Sequence, residues 1–299
     1  MHAAIVEALL ASPEPAIRWR VRTAVLGEHG LPPPESPLAR RLLDRADLGR
    51  PYAKWDGAHW VLATLADIGH PPGDQALSPL RERVLETWLA ADYDRDSAVA
   101  YGGRGVPLLD GRHRAHASQQ GNALRALTTL GLADERCDRL AALLLRWQWP
   151  DGGWNCDRHP AADTSSFCET LTPMRGLHAY GRTEAARRAA EVFLPRRLAF
   201  RRRDGELIRP EFAKLHYPLH WHYDVLGGLK AMAELGLVTD PRCADALDLL
   251  ESLRLADGWP ATGRFDRAPE WGGTSTRRGN PWVTVDALFV LRAAGRLVL

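Results

Sequence analysis

Lysine is nearly missing from this sequence: of its 39 basic residues, only Lys54, Lys214 and Lys230 are lysine. The bias toward arginine fits GC-rich coding better than it fits a function. An excess of charge of one sign is missing too. The net charge is +2, which gives no reason to expect a nucleic-acid partner. Arg196, Arg197, Arg201, Arg202 and Arg203 form the one basic run and read as a solvated helix end and loop. No stretch approaches the roughly 20 apolar residues of a membrane span. The segment from Met1 to Ala11 carries Glu7 and no basic run, so it does not read as a signal peptide. Four cysteines without such a signal imply reduced thiols and a cytoplasmic protein. Alternating runs of β-branched residues never exceed a few positions, which excludes a sheet-based domain.

What is abundant is a helix that runs into a glycine. Gly27, Gly69, Gly131, Gly181, Gly236 and Gly295 each follow an apolar helical stretch, such as Trp60, Leu62 and Leu65 before Gly69. Apolar residues three and four apart make one buried face, and glycine after the last turn is the usual left-handed stop. The intervals of 42, 62, 50, 55 and 59 residues suit a helix–loop–helix unit with variable loops. Inner helices are expected near 16–26, 58–68, 119–130, 168–180, 223–235 and 284–294, the fourth kinked or started late by Pro173. Outer partners are expected at Ala3–Leu10, Pro37–Asp47, Pro79–Ala91, Cys137–Trp147, Glu184–Arg197 and Arg242–Leu253. The repeat runs throughout and no linker interrupts it. The expectation is therefore an all-α protein, one α/α-toroid domain over 1–299 with about six inner and six outer helices.

Gln148-Trp149-Pro150-Asp151-Gly152-Gly153-Trp154 follows an outer helix and matches the Q-x-x-x-G-x-W repeat of squalene and oxidosqualene cyclases. Asp257-Gly258-Trp259 looks like a second copy without its glutamine. The chain resembles the superfamily of squalene cyclases and protein prenyltransferase β-subunits, and is most similar to small bacterial single-domain members. That resemblance implies the toroid and an apolar, isoprenoid-type substrate in its central cavity. Two departures stand out. The D-x-D-D proton donor of class II terpene cyclases has no counterpart, because the chain contains no consecutive aspartates. Asp92, Asp94 and Asp96 alternate at a helix end and read as solvated. The D-D-x-x-D motif of class I cyclases is missing as well.

In prenyltransferases one zinc is held by Asp, Cys and His at the starts of successive inner helices. Here Asp163 falls near that Asp, but Ser165 stands where the Cys would be. Cys156, Cys168 and His222 are the donor types zinc takes, and all flank inner-helix starts. They are expected as its ligands, the alternative being two small buried hydrophobes and a helix-start histidine. Asp224 and Glu169 are the candidates for proton transfer. Trp60, His116, Trp154, Trp221, Tyr223 and Trp282 are the candidate substrate-binding residues, aromatic or polar groups at helix starts above aliphatic ones. Three readings stay open: a terpenoid-cyclase- or prenyltransferase-like enzyme, zinc-assisted in one form; a non-catalytic ligand-binding toroid; and a zinc-dependent thiol-addition enzyme similar to lanthipeptide cyclases.

Overall fold

A computed structural model describes residues 2–263 and 269–299. The protein is mainly helical. Its helices are α1 (Ala3–Leu10), α2 (Pro15–Arg20), α3 (Pro37–Asp44), α4 (Ala58–Ile68), α5 (Ser78–Trp88) and α6 (Ala117–Thr129). They continue with α7 (Arg136–Trp147), α8 (Phe167–Ala179), α9 (Thr183–Ala190), α10 (Val225–Glu234), α11 (Ala244–Ser252) and α12 (Pro281–Ala293). A π-helical stretch, Val21–Val25, extends α2. The even-numbered helices occupy the positions expected for the inner set and the odd-numbered ones those of the outer set.

All six glycines at the ends of the even-numbered helices have φ between 63 and 83°. After four of them the next amide reaches back to the carbonyl five residues earlier, as from Leu132 to Leu127 (2.9 Å) and from Arg296 to Leu291 (2.8 Å). That bond closes the helix end, and only glycine adopts the required conformation without strain.

Two expectations need correction. The outer helix expected to reach Arg197 ends at Ala190, and Pro195 with left-handed Arg197 and Leu198 (φ 44 and 64°) explains why it cannot continue. A small sheet is also present: β1 (Asp96–Ser97), β2 (Val106–Leu109) and β3 (Arg112–His113). β1 pairs parallel to β2, and β2 pairs antiparallel to β3 with Leu109 opposite Arg112. Asp110-Gly111 makes the two-residue turn, both residues at positive φ (48 and 69°), as a type I′ hairpin requires.

The chain divides into two compact units. One comprises Ala46–Ala66 and Pro72–Phe193, the other Met1–Arg45, Asp67–Pro71 and Leu194–Leu299. In the first unit, α6 and α8 touch backbone to backbone. A Cβ on Gly121 would lie 2.4 Å from Pro173 Cα, and one on Gly176 would lie 2.3 Å from the Gly121 carbonyl oxygen. Thr172 Oγ1 donates to Ser118 O across the same contact (2.9 Å). Pro173 lies within α8, facing the glycine that makes room for it.

The glutamine–tryptophan motif braces this unit. Gln148 Nε2 donates to Gly152 O (2.7 Å) and to Ala185 O on α9 (3.0 Å). Trp154 Nε1 donates back to Leu144 O on α7 (2.9 Å), while its amide meets Thr170 Oγ1 on α8 (3.2 Å). The second unit repeats the scheme without the glutamine. Trp259 Nε1 donates to Leu250 O on α11 (2.7 Å) and its amide to Thr284 Oγ1 on α12 (3.0 Å).

In that second unit the last helix packs against the first ones: α12 lies against α2, its π-helical extension and α10. His2 N donates to Val298 O (3.1 Å). Asp286 on α12 is buried and accepts from both Arg20 and Lys230 (Nζ 2.9 Å). Asp67 lies 4.0 Å from the same Nζ.

Candidate active site

The starts of α6 and α8 lie side by side because of the glycine contact, and they place a carboxylate, a thiol and an imidazole together. Glu169, in the first turn of α8, is buried. Its Oε2 accepts from the Ser118 amide (2.9 Å), so a side chain of one helix caps the N-terminus of the next. His116, at the N-cap of α6, makes no capping bond of its own. Its Nδ1 lies 3.4 Å from Glu169 Oε1. The Ser118 amide, one of the first-turn amides that the helix itself leaves unpartnered, thus finds its acceptor on α8.

Cys156 joins them from the loop after Trp154, its thiol close to Glu169. Burial first, and then the charge of Glu169, pushes that thiol up to about 12. One ligand-type atom from each of His116, Cys156 and Glu169 lies within 4.8 Å of the other two. The loop is held from both sides. Asn155 Nδ2 donates to Thr164 O (2.9 Å), and buried Arg114 donates to Ala162 O (2.8 Å) and Pro160 O (3.2 Å) while stacking over Trp149. Arg114 had no distinguishing sequence signal.

An aromatic group adjoins this cluster. Tyr52 packs 5.2 Å from His59, 4.9 Å from Trp60 and 5.3 Å from Trp88. Its hydroxyl meets Gln119. Burial raises its pKa, the bond to Gln119 works against that, and the charge of Glu169 adds to the rise. Tyr52 was missed because nothing in the sequence ties its loop to the start of α6.

Of the three expected metal ligands, Cys156 lies in this group, beside Glu169 and His116. Cys168 precedes Glu169 by one residue, about 100° around the helix. With Glu169 turned toward Ser118 and Cys156, Cys168 is not in the group. His222 belongs to the other unit, half-buried, stacked on Trp221 (3.8 Å) and parallel to His216 (6.2 Å).

Asp224 is 1% exposed and already engaged at both oxygens. Oδ1 caps α10 through the Gly227 amide (2.8 Å), and Oδ2 accepts from the His216 amide (2.8 Å) and lies 3.0 Å from His216 Nδ1. Its direct effect is to orient His216, a residue not singled out in the sequence. Trp60, Trp154, Tyr223 and Trp282 are buried. The Trp154 indole and the Tyr223 hydroxyl, the latter on Leu198 O (2.6 Å), serve packing. Trp282 stacks on Tyr217 (5.1 Å). Trp221 is half-buried and His116 exposed. Asp94 and Asp96 are exposed and paired with Arg139 and Arg146, as expected of solvated carboxylates.

No family model and no curated protein matches the chain. Solved structures of the type II terpene cyclase MstE from Scytonema overlap it. The ligand-free enzyme is 13% identical, with 93% of this chain and 99% of that one covered and a TM-score of 0.27. A variant bound to geranylgeranyl dihydroxybenzoate is 15% identical, with 99% and 100% covered and a TM-score of 0.28. Similarity this slight carries no assignment of activity. Among the described residues no helix is long and apolar enough to cross a membrane.

Proposed function

We propose that the chain is a terpenoid-cyclase- or prenyltransferase-like enzyme of the cytoplasm, acting on an apolar, isoprenoid-type small molecule. In this reading the even-numbered helices are the inner set of an α/α toroid and the odd-numbered ones the outer set. The tryptophan bracing of an outer to an inner helix, present in each unit, supports it. The observation that carries the function is the buried carboxyl of Glu169, held at a helix start between His116, Cys156 and the aromatic group around Tyr52.

A protonated Glu169 donates to an alkene, or its carboxylate takes the proton that ends a cyclisation, with His116 relaying to solvent. General acid–base catalysis of this kind contributes about 10²–10⁴-fold. Aromatic faces beside the site stabilise a developing carbocation by on the order of 1–2 kcal/mol each. His116, exposed at the start of α6, meets the substrate.

Incubation with prenyl diphosphates and prenylated phenols, followed by mass spectrometry of extracted products, tests this. A cyclised or transferred product that falls at least about 100-fold in Glu169→Gln is the expected result. A non-catalytic ligand-binding toroid is the second reading, favoured by the complete engagement of Asp224. Binding without turnover, indifferent to Glu169→Gln, would establish that reading instead.

A further inference from the structure

We propose that His116, Cys156 and Glu169 form a mononuclear zinc site with one open coordination position. The proposal concerns the cluster just described and does not depend on an isoprenoid substrate. With the ion bound, Glu169 and His116 are ligands, and the proton transfer proposed above belongs to the metal-free chain. Three observations lead to it. The first is the donor set: an imidazole nitrogen, a thiol sulfur and a carboxylate oxygen are the ligand types zinc takes, and catalytic zinc sites use three protein ligands with a fourth place for water or substrate. Harder ions such as magnesium or calcium do not favour sulfur.

The second is convergence. The three residues come from the start of α6, a loop and the first turn of α8, so sequence proximity does not bring them together. Their donor atoms lie within 4.8 Å of one another. Ligands on a tetrahedral zinc are separated by about 3.3–3.8 Å, given bonds of 2.0–2.3 Å. Small rotations of His116, which is exposed, and of the Cys156 side chain suffice to close the remaining gap.

The third is the support behind the donors. Glu169 Oε2 is fixed by the Ser118 amide, which leaves Oε1 toward His116. The Cys156 loop is clamped by Arg114 and Asn155. Held donors of this kind are what distinguishes a metal centre from a chance grouping. Zinc binding releases the Cys156 proton to solvent as the Zn–S bond forms.

The test is elemental analysis of the purified full chain, before and after dialysis against zinc. It is done beside His116→Ala, Cys156→Ala, Glu169→Gln, Cys168→Ala and His222→Ala, with far-UV circular dichroism on each to confirm folding. Cobalt substitution adds a spectroscopic readout, a sulfur-to-metal charge-transfer band that needs the Cys156 thiolate. One zinc per chain, lost in the first three variants and kept in the last two, is expected. A folded wild type that neither retains nor takes up zinc overturns the proposal. So does loss of zinc in Cys168→Ala or His222→Ala with retention in His116→Ala and Glu169→Gln. No substrate is present in this measurement. A chain that binds zinc but turns over no prenyl compound, with or without the ion, would therefore sink the enzymatic reading and leave the metal site standing.

Discussion

Two cations share one carboxylate in the interior of the second unit, and Asp286 there illustrates how much a single side chain carries. Burial alone would raise its pKa, but the charges of Arg20 and Lys230 outweigh burial and hold it below the usual carboxylate range. Arg20 is raised for the converse reason: burial opposes its charge and Asp286 restores it. Replacing Asp286 with Asn leaves buried Arg20 without its anion and Lys230 with only the more distant Asp67, and is expected to cost about 3–5 kcal/mol, read from urea unfolding at neutral pH. A carboxyl depressed in the folded state stabilises above its unfolded pKa, about 3.9, and that contribution disappears as pH falls through the folded value. Wild-type stability should therefore drop on acidification below about pH 4, and Asp286→Asn should show a flatter acid limb. An equal acid slope in both proteins would show that Asp286 is not the group responsible. The candidate site was partly legible at this scale. Glu169 and His116 stand out as polar residues at helix starts, and Cys156 as a thiol in the loop before one. Their grouping did not, because which residue of the first turn of α8 faces α6 depends on a rotation of about 100° per residue that no spacing rule fixes. Asp224 looked like a proton donor for the same reason that it is a good cap: a short carboxylate immediately before a helix.

Between α6 and α8 the fit leaves no room for a methyl group. In Gly121→Ala the new Cβ meets the backbone of Pro173, which cannot rotate away, so the two helices must separate. The expected cost is at least about 1–3 kcal/mol, with a drop in thermal midpoint. Gly181→Ala, where nothing lies within 4 Å, should cost only the strain of its positive φ, by comparison. If both substitutions lower the midpoint equally, close packing is not what Gly121 provides. Elements were the most legible level of this chain, since each even-numbered helix carries both the 3.6-residue apolar pattern and a glycine stop. The small sheet was not seen, because its strands are two to four residues long and carry no alternation. Its one sequence signal was the Asp110-Gly111 turn. The close contact of α6 and α8 was equally silent, as Gly121 and Gly176 sit inside helices where glycine carries no local instruction.

For the whole molecule, the hydrogen bond from His2 to Val298 brings the two ends of this chain together. A circular permutant joining them through a short glycine–serine linker, with new ends between the exposed residues Arg202 and Arg203, should keep its helical dichroism and melt within a few degrees of the parent. Collapse of the permutant would show that the covalent order of the first and last helices, not merely their packing, is required. At this scale only the repeat was legible, because a period says how many helix–glycine units there are and not how they are arranged. Finally, the carboxylate that α8 lends to the start of α6 ties chemistry to mechanics. The Ser118 amide donates to Oε2 while Oε1 faces the site, so a proton, an ion or a reacting ligand at Oε1 changes the charge that holds that amide. Occupancy of the site can then be followed as amide hydrogen exchange at one backbone position, a gauge that needs no chromophore and no knowledge of the substrate.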